Sequence, residues 1–270
     1  MLALVHEHPR DKHVKFEESS HTYSINGSSD GYISVTTLIH SLFPHFDADE
    51  VISKMFSSYN WKDSKYFGKT REQIKSEWAS SGKEAAGLGT KMHANIEAFY
   101  NGERHETESK EWKLFEEFNK MHEDELESYR SEMIVYAEDL KIAGSIDMIY
   151  SIKDQPNKYV IYDWKRSKKI KTDNEYQKGT HELTKKLPDC NLVHYSLQLT
   201  IYKEILTQYY GMDIVECNLI ILHPDQNKFV KIRVEDSFKD INYRDIVLGM
   251  FKERKELVGA NKADDKAVTC

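Results

Sequence analysis

The stretch Ile142-Ala143-Gly144-Ser145-Ile146-Asp147-Met148-Ile149-Tyr150, followed past the breaker Asp154-Gln155-Pro156-Asn157 by Tyr159-Val160-Ile161-Tyr162-Asp163-Trp164-Lys165, decides the fold. Both runs are rich in β-branched and aromatic residues and are bounded by turn formers, the pattern of two strands joined as a hairpin. Side chains alternate faces along a strand, so Asp163 and Lys165 project from one side and Trp164 from the other, into a core. A hairpin symmetric about Gln155 sets Asp147 opposite Asp163, each eight positions from the centre.

Directly opposed side chains on neighbouring strands sit about 4.5–5.5 Å apart at Cβ, and like charges there destabilise a sheet. Two unit charges about 5 Å apart at an effective dielectric of about 20 repel by roughly 3 kcal/mol. A divalent cation offsets that repulsion, and magnesium takes one or two carboxylates and completes its shell with water and phosphate oxygens. A lysine beside it can orient or help deprotonate an attacking water whose pKa the metal lowers. The competing reading of these residues is a solvated strand face, and a register slip or bulge would separate the acids.

Before the hairpin, Glu132 to Ala137 reads as another strand, and Val14 to Phe16 and Thr22 to Ile25 as two short ones followed by the turn Asn26 to Gly31. Ser34 to Leu42 turns helical. Asp47 caps a helix through Met55, and Glu84 to Tyr100 and Ser109 to Leu126 follow as helices. After the hairpin, Arg166 to Asn191 reads as a long polar loop with a short helix, and Leu192 to about Tyr209 as a helix. Ile214 to Leu222 and Phe229 to Val234 are strands, Asp240 to Leu257 is an amphipathic helix, and the residues after Gly259 are a tail. The expected class is α/β, a mixed central β-sheet flanked by helices with an N-terminal helical subdomain.

At 270 residues, 39% hydrophobic and 31% charged with five prolines, the composition is that of a folded chain. No stretch approaches the roughly 20 apolar residues of a membrane span, and Met1 to Arg10 lacks the apolar core of a secretory signal, so an intracellular protein without membrane partners is expected. Cys190, Cys217 and Cys270 are too few and scattered for a disulfide framework, a four-cysteine zinc site or an iron–sulphur cluster. A net charge of -7 excludes coating of nucleic acid by bulk electrostatics, so binding of that kind needs a local patch.

Gly144-Ser145-Ile146-Asp147 with Val160-Ile161-Tyr162-Asp163-Trp164-Lys165 resembles the paired Asp and Asp-x-Lys signature of RecB-like nucleases in the PD-(D/E)XK superfamily. Ile146 stands where the family name has proline. The run Asp163-Trp164-Lys165-Arg166-Ser167 is similar especially to the mitochondrial genome maintenance exonucleases. The resemblance implies a restriction-endonuclease-like core in which Asp147, Asp163 and the backbone carbonyl of Trp164 hold Mg2+ or Mn2+, and Lys165 serves the water.

Two further segments resemble the same family. In Gly87-Leu88-Gly89-Thr90-Lys91-Met92-His93, the histidine stands beside an apolar stripe of Met92, Ile96, Phe99 and Tyr100, with Glu97 one turn on. It resembles the N-terminal histidine that reaches the metal in RecB-like enzymes; alone it is also an ordinary histidine at a core edge. The Walker ending is missing, so Gly87 and Gly89 read as points of close packing. Gln198 and Tyr202, four apart on one helix face, resemble the Gln-x-x-x-Tyr element that helps place the metal site and the nucleic-acid strand; a buried polar pair is the alternative. Glu132 reads as a sheet-edge charge rather than an outer acid of the site. These elements follow the family's order over residues 87 to 202.

Lys165 to Lys171 holds five basic residues in seven, and Arg166, Lys168, Lys169 and Lys171 are the candidates to steer a phosphate backbone, against the plainer reading of a solvated loop. Lys178, Lys185 and Lys186 would extend the track. Trp61, Tyr66, Phe67 and Trp78 are candidates to stack bases or to fill a core. The division implied is 1–129, strands and helices contributing His93; 130–258, the nuclease core; and 259–270, a flexible tail. The function implied is a deoxyribonuclease, expected to act as an exonuclease on single-stranded DNA, ends or flaps. An RNA endonuclease of the cap-snatching type and a retired nuclease fold that binds nucleic acid are the alternatives.

Overall fold

The computed structural model describes residues 1–238 and 240–268, with side chains through residue 261. In chain order the elements are α1 (Leu2–Val5), a 3-10 turn (Asp11–His13), β1 (Val14–Glu17), β2 (Thr22–Ile25), β3 (Ile33–Ser34), α2 (Val35–His40) and α3 (Ala48–Phe56). A second 3-10 turn (Tyr59–Asp63), α4 (Arg71–Tyr100), α5 (Lys110–His122), β4 (Leu126–Ala137), β5 (Ile142–Ile152) and β6 (Lys158–Lys165) follow. The chain closes with α6 (Asn191–Tyr210), β7 (Asp213–Ile221), β8 (Val230–Arg233), α7 (Val234–Ser237) and α8 (Tyr243–Val268). The fold is α/β, with a mixed parallel and antiparallel sheet between helices.

Strands β4, β5 and β6 form an antiparallel meander, β7 joins β6 in parallel after the α6 crossover, and β8 pairs antiparallel with β7. The β5–β6 register, Met148 with Tyr162 through Ser151 with Tyr159, is the one a hairpin centred on Gln155 requires. That ladder stops at Met148. Strand β4 covers one edge of β5 from Ile142 to Ile152, so β3, which pairs with Ile142 and Ala143, takes the other edge beyond β6. Between β3 and β6 the sheet is forked, and Asp147 stands at the fork.

Alternation along β6 sorts the core into two layers. Ile161 packs with Ile146, Leu197, Ile201, Val35 and Val247 on the α2, α6 and α8 side. Tyr162 and Trp164 pack with Ile96, Phe115 and Phe118 on the α4 and α5 side. Full burial of side chains this size contributes about 1.5–3 kcal/mol each, which fixes which way Asp163 and Lys165 face. A third cluster seats the β1–β2 hairpin, through Tyr23 and Ile25, on Tyr136 and Ala143.

Helix α4 begins at Arg71, well before Glu84, because Thr70 and Gln73 form a capping box that satisfies the first-turn donors. Gly87 and Gly89 are not points of close packing: a Cβ at either would meet nothing within 4 Å. The close approach is at Gly144, where a Cβ would lie 2.7 Å from the Tyr202 ring and hydroxyl. Helix α8 continues to Val268 over the stretch that reads as a tail, and Thr269 and Cys270 lie outside the described residues. Among the described residues no helix is long and apolar enough to cross a membrane.

Candidate metal centre

Register builds the centre. Ser131 pairs with Met148 and Met133 with Ile146, so Glu132 stands across from Asp147; continuing the β5–β6 register sets Asp163 on the other side of it. Three acids thus lie in a row on three adjacent strands. Glu132 is held at φ 45°, in the left-handed region that costs a non-glycine residue, and Ile146 and Met148 pack in opposite layers although residues two apart normally share a face. The strands kink there, turning the Glu132 side chain toward Asp147. Glu132 is therefore part of the cluster, not a sheet-edge charge: its Oε2 accepts from Ser145 Oγ at 2.9 Å and its Oε1 lies 3.7 Å from His93 Nδ1.

Helix α4 delivers His93 into this row. Its Nδ1 is 3.5 Å from Asp147 Oδ2, and its Nε2 donates to the Trp164 carbonyl at 2.8 Å. Trp164 N in turn donates to Asp147 Oδ2 at 2.8 Å, so the side chain of Asp147 bridges the fork that the ladder leaves open. Ligand atoms of His93, Glu132 and Asp147 all lie within 4.8 Å of one another. Glu97, one turn further along α4, lines the same cleft.

Asp163 is 2% exposed beneath this group. Lys165 Nζ lies 2.6 Å from its Oδ2, yet that oxygen receives no well-directed hydrogen bond. Lys165 also sits over the Tyr195 ring, 4.8 Å from its centroid. Burial pushes Asp163 up to about 6 against the pull of Lys165, with Asp147 adding to the rise. Burial likewise raises Asp147, opposed by His93 and Lys165. Burial disfavours the charge on His93, but Asp147 and Glu132 outweigh it and hold the ring up to about 9. Burial also works against the charge on Lys165, and Asp163 and Asp147 overcome it, so the lysine stays protonated. Glu97 is raised by burial and by Glu132.

The donor set, carboxylates and one imidazole with a buried carboxylate oxygen lacking a directed donor, fits a hard divalent ion such as Mg2+ or Mn2+. Lys165 beside Asp163 and His93 beside Asp147 and Glu132 are the groups that offset the acids. Cys190 and Cys217 are buried free thiols, and neither lines the cleft.

Gln198 reaches the cleft wall, while Tyr202 is 3% exposed and packed against Gly144. Tyr202 therefore supports β5 from below and does not face the cleft. The basic run is not brought to the centre. Arg166 Nε donates to Glu111 at 2.6 Å, Lys168 pairs with Asp225 at 2.6 Å, and Lys169 and Lys171 are exposed on the following loop; none of the four lines the cleft. Nor do the aromatics of the helical block. Trp61 meets Phe56 at a tilt and Phe67 edge-on, and Trp78 meets Tyr66 and Phe46, in aromatic groups apart from the cleft. The cleft, of about 700 Å³, is closed instead by the β1–β2 hairpin through Phe16, Glu18, His21 and Tyr23, residues that carry no motif.

No family model matches the chain, and no curated protein does. Among solved structures, the crystal structure of SSO0001 is similar over 86% of this chain and 78% of its own, at 16% identity and a TM-score of 0.31. A superposition of that quality carries no argument about function.

Proposed function

We propose that the chain is a metal-dependent nuclease of the RecB-like PD-(D/E)XK type that hydrolyses phosphodiester bonds in single-stranded DNA, at ends or in flaps. One observation carries the reading: Asp147, Asp163 and Lys165 meet His93 and Glu132 where β5 and β6 part. His93, Asp147, Asp163 and the carbonyl of Trp164 would hold Mg2+ or Mn2+, with Glu132 beside them. The ion supplies Lewis acidity toward the phosphate and lowers the pKa of water.

Each residue then has a defined task. Asp147, fixed by Trp164 N, holds its oxygens at the fork. Asp163 and Asp147 hold the proton on Lys165 in the metal-free centre, and as an ammonium it donates, so it can orient the incoming water or a phosphate oxygen. Tyr195 and Asp163 fix where that ammonium points. Gln198 presents its side chain to the cleft. With the basic loop partly paired to acids, affinity for the strand rests on the centre itself, and binding should weaken little with salt.

The test is cleavage of end-labelled oligonucleotides in Mg2+ or Mn2+. Linear single-stranded DNA is expected to shorten from an end, circles to resist, and Asp147→Asn to abolish both the activity and its metal dependence. RNA cut while DNA survives would transfer the site to RNA endonuclease chemistry, and survival of every substrate would refute the reading.

A further inference from the structure

The β1–β2 hairpin carries no catalytic group, yet it walls the cleft above the acids. Phe16, Glu18, His21 and Tyr23 line it together with Gly89, Thr90 and His93 of α4. The three rings form one surface: Phe16 meets His21 edge-on at 5.1 Å and Tyr23 at 4.6 Å. Tyr23 is buried and anchors the hairpin on the sheet; Phe16 is half-buried and His21 exposed.

Charge decides what this surface can face. Glu18 stands on the same wall, Glu97 and Glu132 lie in the same cleft, and Lys165 is the one lysine or arginine among the lining residues. A phosphate against the hairpin would meet Glu18, with no lysine or arginine on that wall to offset it. The phosphate therefore belongs at the ion and Lys165, and the group turned to the hairpin must be neutral, flat and polarisable. A nucleobase has those properties, and stacking on aromatic rings accepts any base because every base has a π-face.

We propose that the β1–β2 hairpin is the base-binding wall of the cleft, with Phe16 and His21 stacking a base of the strand whose phosphate lies at the metal centre. The assignment rests on the nuclease reading and deepens it to the surface that holds the base. A base engaged this way must leave its neighbours and its pairing partner, so the wall selects single strands and frayed ends over intact duplex. His21 supports the placement: its backbone lies at φ 53°, and the turn closes through its N–H to the Glu18 carbonyl at 3.3 Å, which presents the ring at the hairpin tip.

The test compares two probes with the full-length protein in Ca2+, which loads the site for binding measurements: a single-stranded DNA oligonucleotide, and one of equal length built of abasic residues. Phe16→Ala and His21→Asn are each expected to weaken binding of the base-bearing probe by about tenfold, while abasic binding changes by less than about twofold. Phe16→Tyr should restore affinity. His21→Asn keeps a residue that tolerates the left-handed turn, so its melting temperature should match wild type. Equal losses on both probes, or no loss on the base-bearing one, would overturn the proposal. Wild-type protein that cleaves DNA while both variants bind like wild type refutes the wall alone. Wild-type protein that neither binds nor cleaves refutes the nuclease reading and the wall together.

Discussion

Loading the centre with Mg2+ or Mn2+ should expel the proton of His93. Its Nδ1 lies 3.7 Å from Glu132 and 3.5 Å from Asp147, and those carboxylates hold the ring up to about 9 from 6.5. Because the folded value is raised, the ring's contribution to metal-free stability is fully present below pH 6.5 and is lost as pH rises through 9. At about 1.36 kcal/mol per pKa unit that contribution is roughly 3 kcal/mol. A metal ion at the same carboxylates competes with this proton. Nearly one proton per ion should be released at about pH 7.5 and about half at pH 9, with apparent metal affinity rising nearly tenfold per pH unit at the first and about threefold at the second. Below about pH 6, Asp163 takes up a proton as well and the dependence steepens. Calorimetric titration in two buffers of different ionisation enthalpy counts the protons. Absence of release at pH 7.5, or an unchanged count in His93→Gln, would refute the placement of His93 against the ion.

Saturating ion should stabilise the fold by about 2.7 kcal/mol at a hundred times its Kd, read as a rise in melting temperature that chelation reverses and Asp147→Asn removes. Gly144→Ala should cost about 1–3 kcal/mol, because its methyl would sit 2.7 Å from the Tyr202 ring, whereas Gly87→Ala, in open helix, should gain about 0.5–1 kcal/mol in denaturant unfolding. Glu111→Ala should cost about 3 kcal/mol, since it strands Arg166 in a pair whose side chains are only 15% and 13% exposed. Lys168→Ala, at an exposed pair, should leave the melting temperature unchanged.

The sequence carried the β5–β6 register, because the turn at Gln155 and the alternating pattern leave one way to pair the strands without burying charge at random. It also named His93, Asp147, Asp163 and Lys165, which the fold brings together. Glu132 was legible by the same symmetry: the turn between Ala137 and Ile142 pairs it with Asp147, but an acid in a strand looks like an edge charge until its neighbour is known. Its left-handed backbone leaves no mark in the local pattern. The first half of α4 was written in Thr70-Arg71-Glu72-Gln73, a capping-box sequence that the following glycines obscure. What no local pattern encodes is tertiary: the hairpin arriving over the cleft, Arg166 turning back to Glu111, and the aromatic cluster standing apart from the centre.

Anomalous diffraction from crystals grown with Mn2+ tests the shared-ion geometry most directly. The expected result is one or more Mn2+ peaks bonded to carboxylate oxygens of both Asp147 and Asp163, with the Trp164 carbonyl freed from His93. Crystals with saturating Mn2+ but no peak between those two acids, or an ion held elsewhere while Lys165 still covers Asp163, would contradict it.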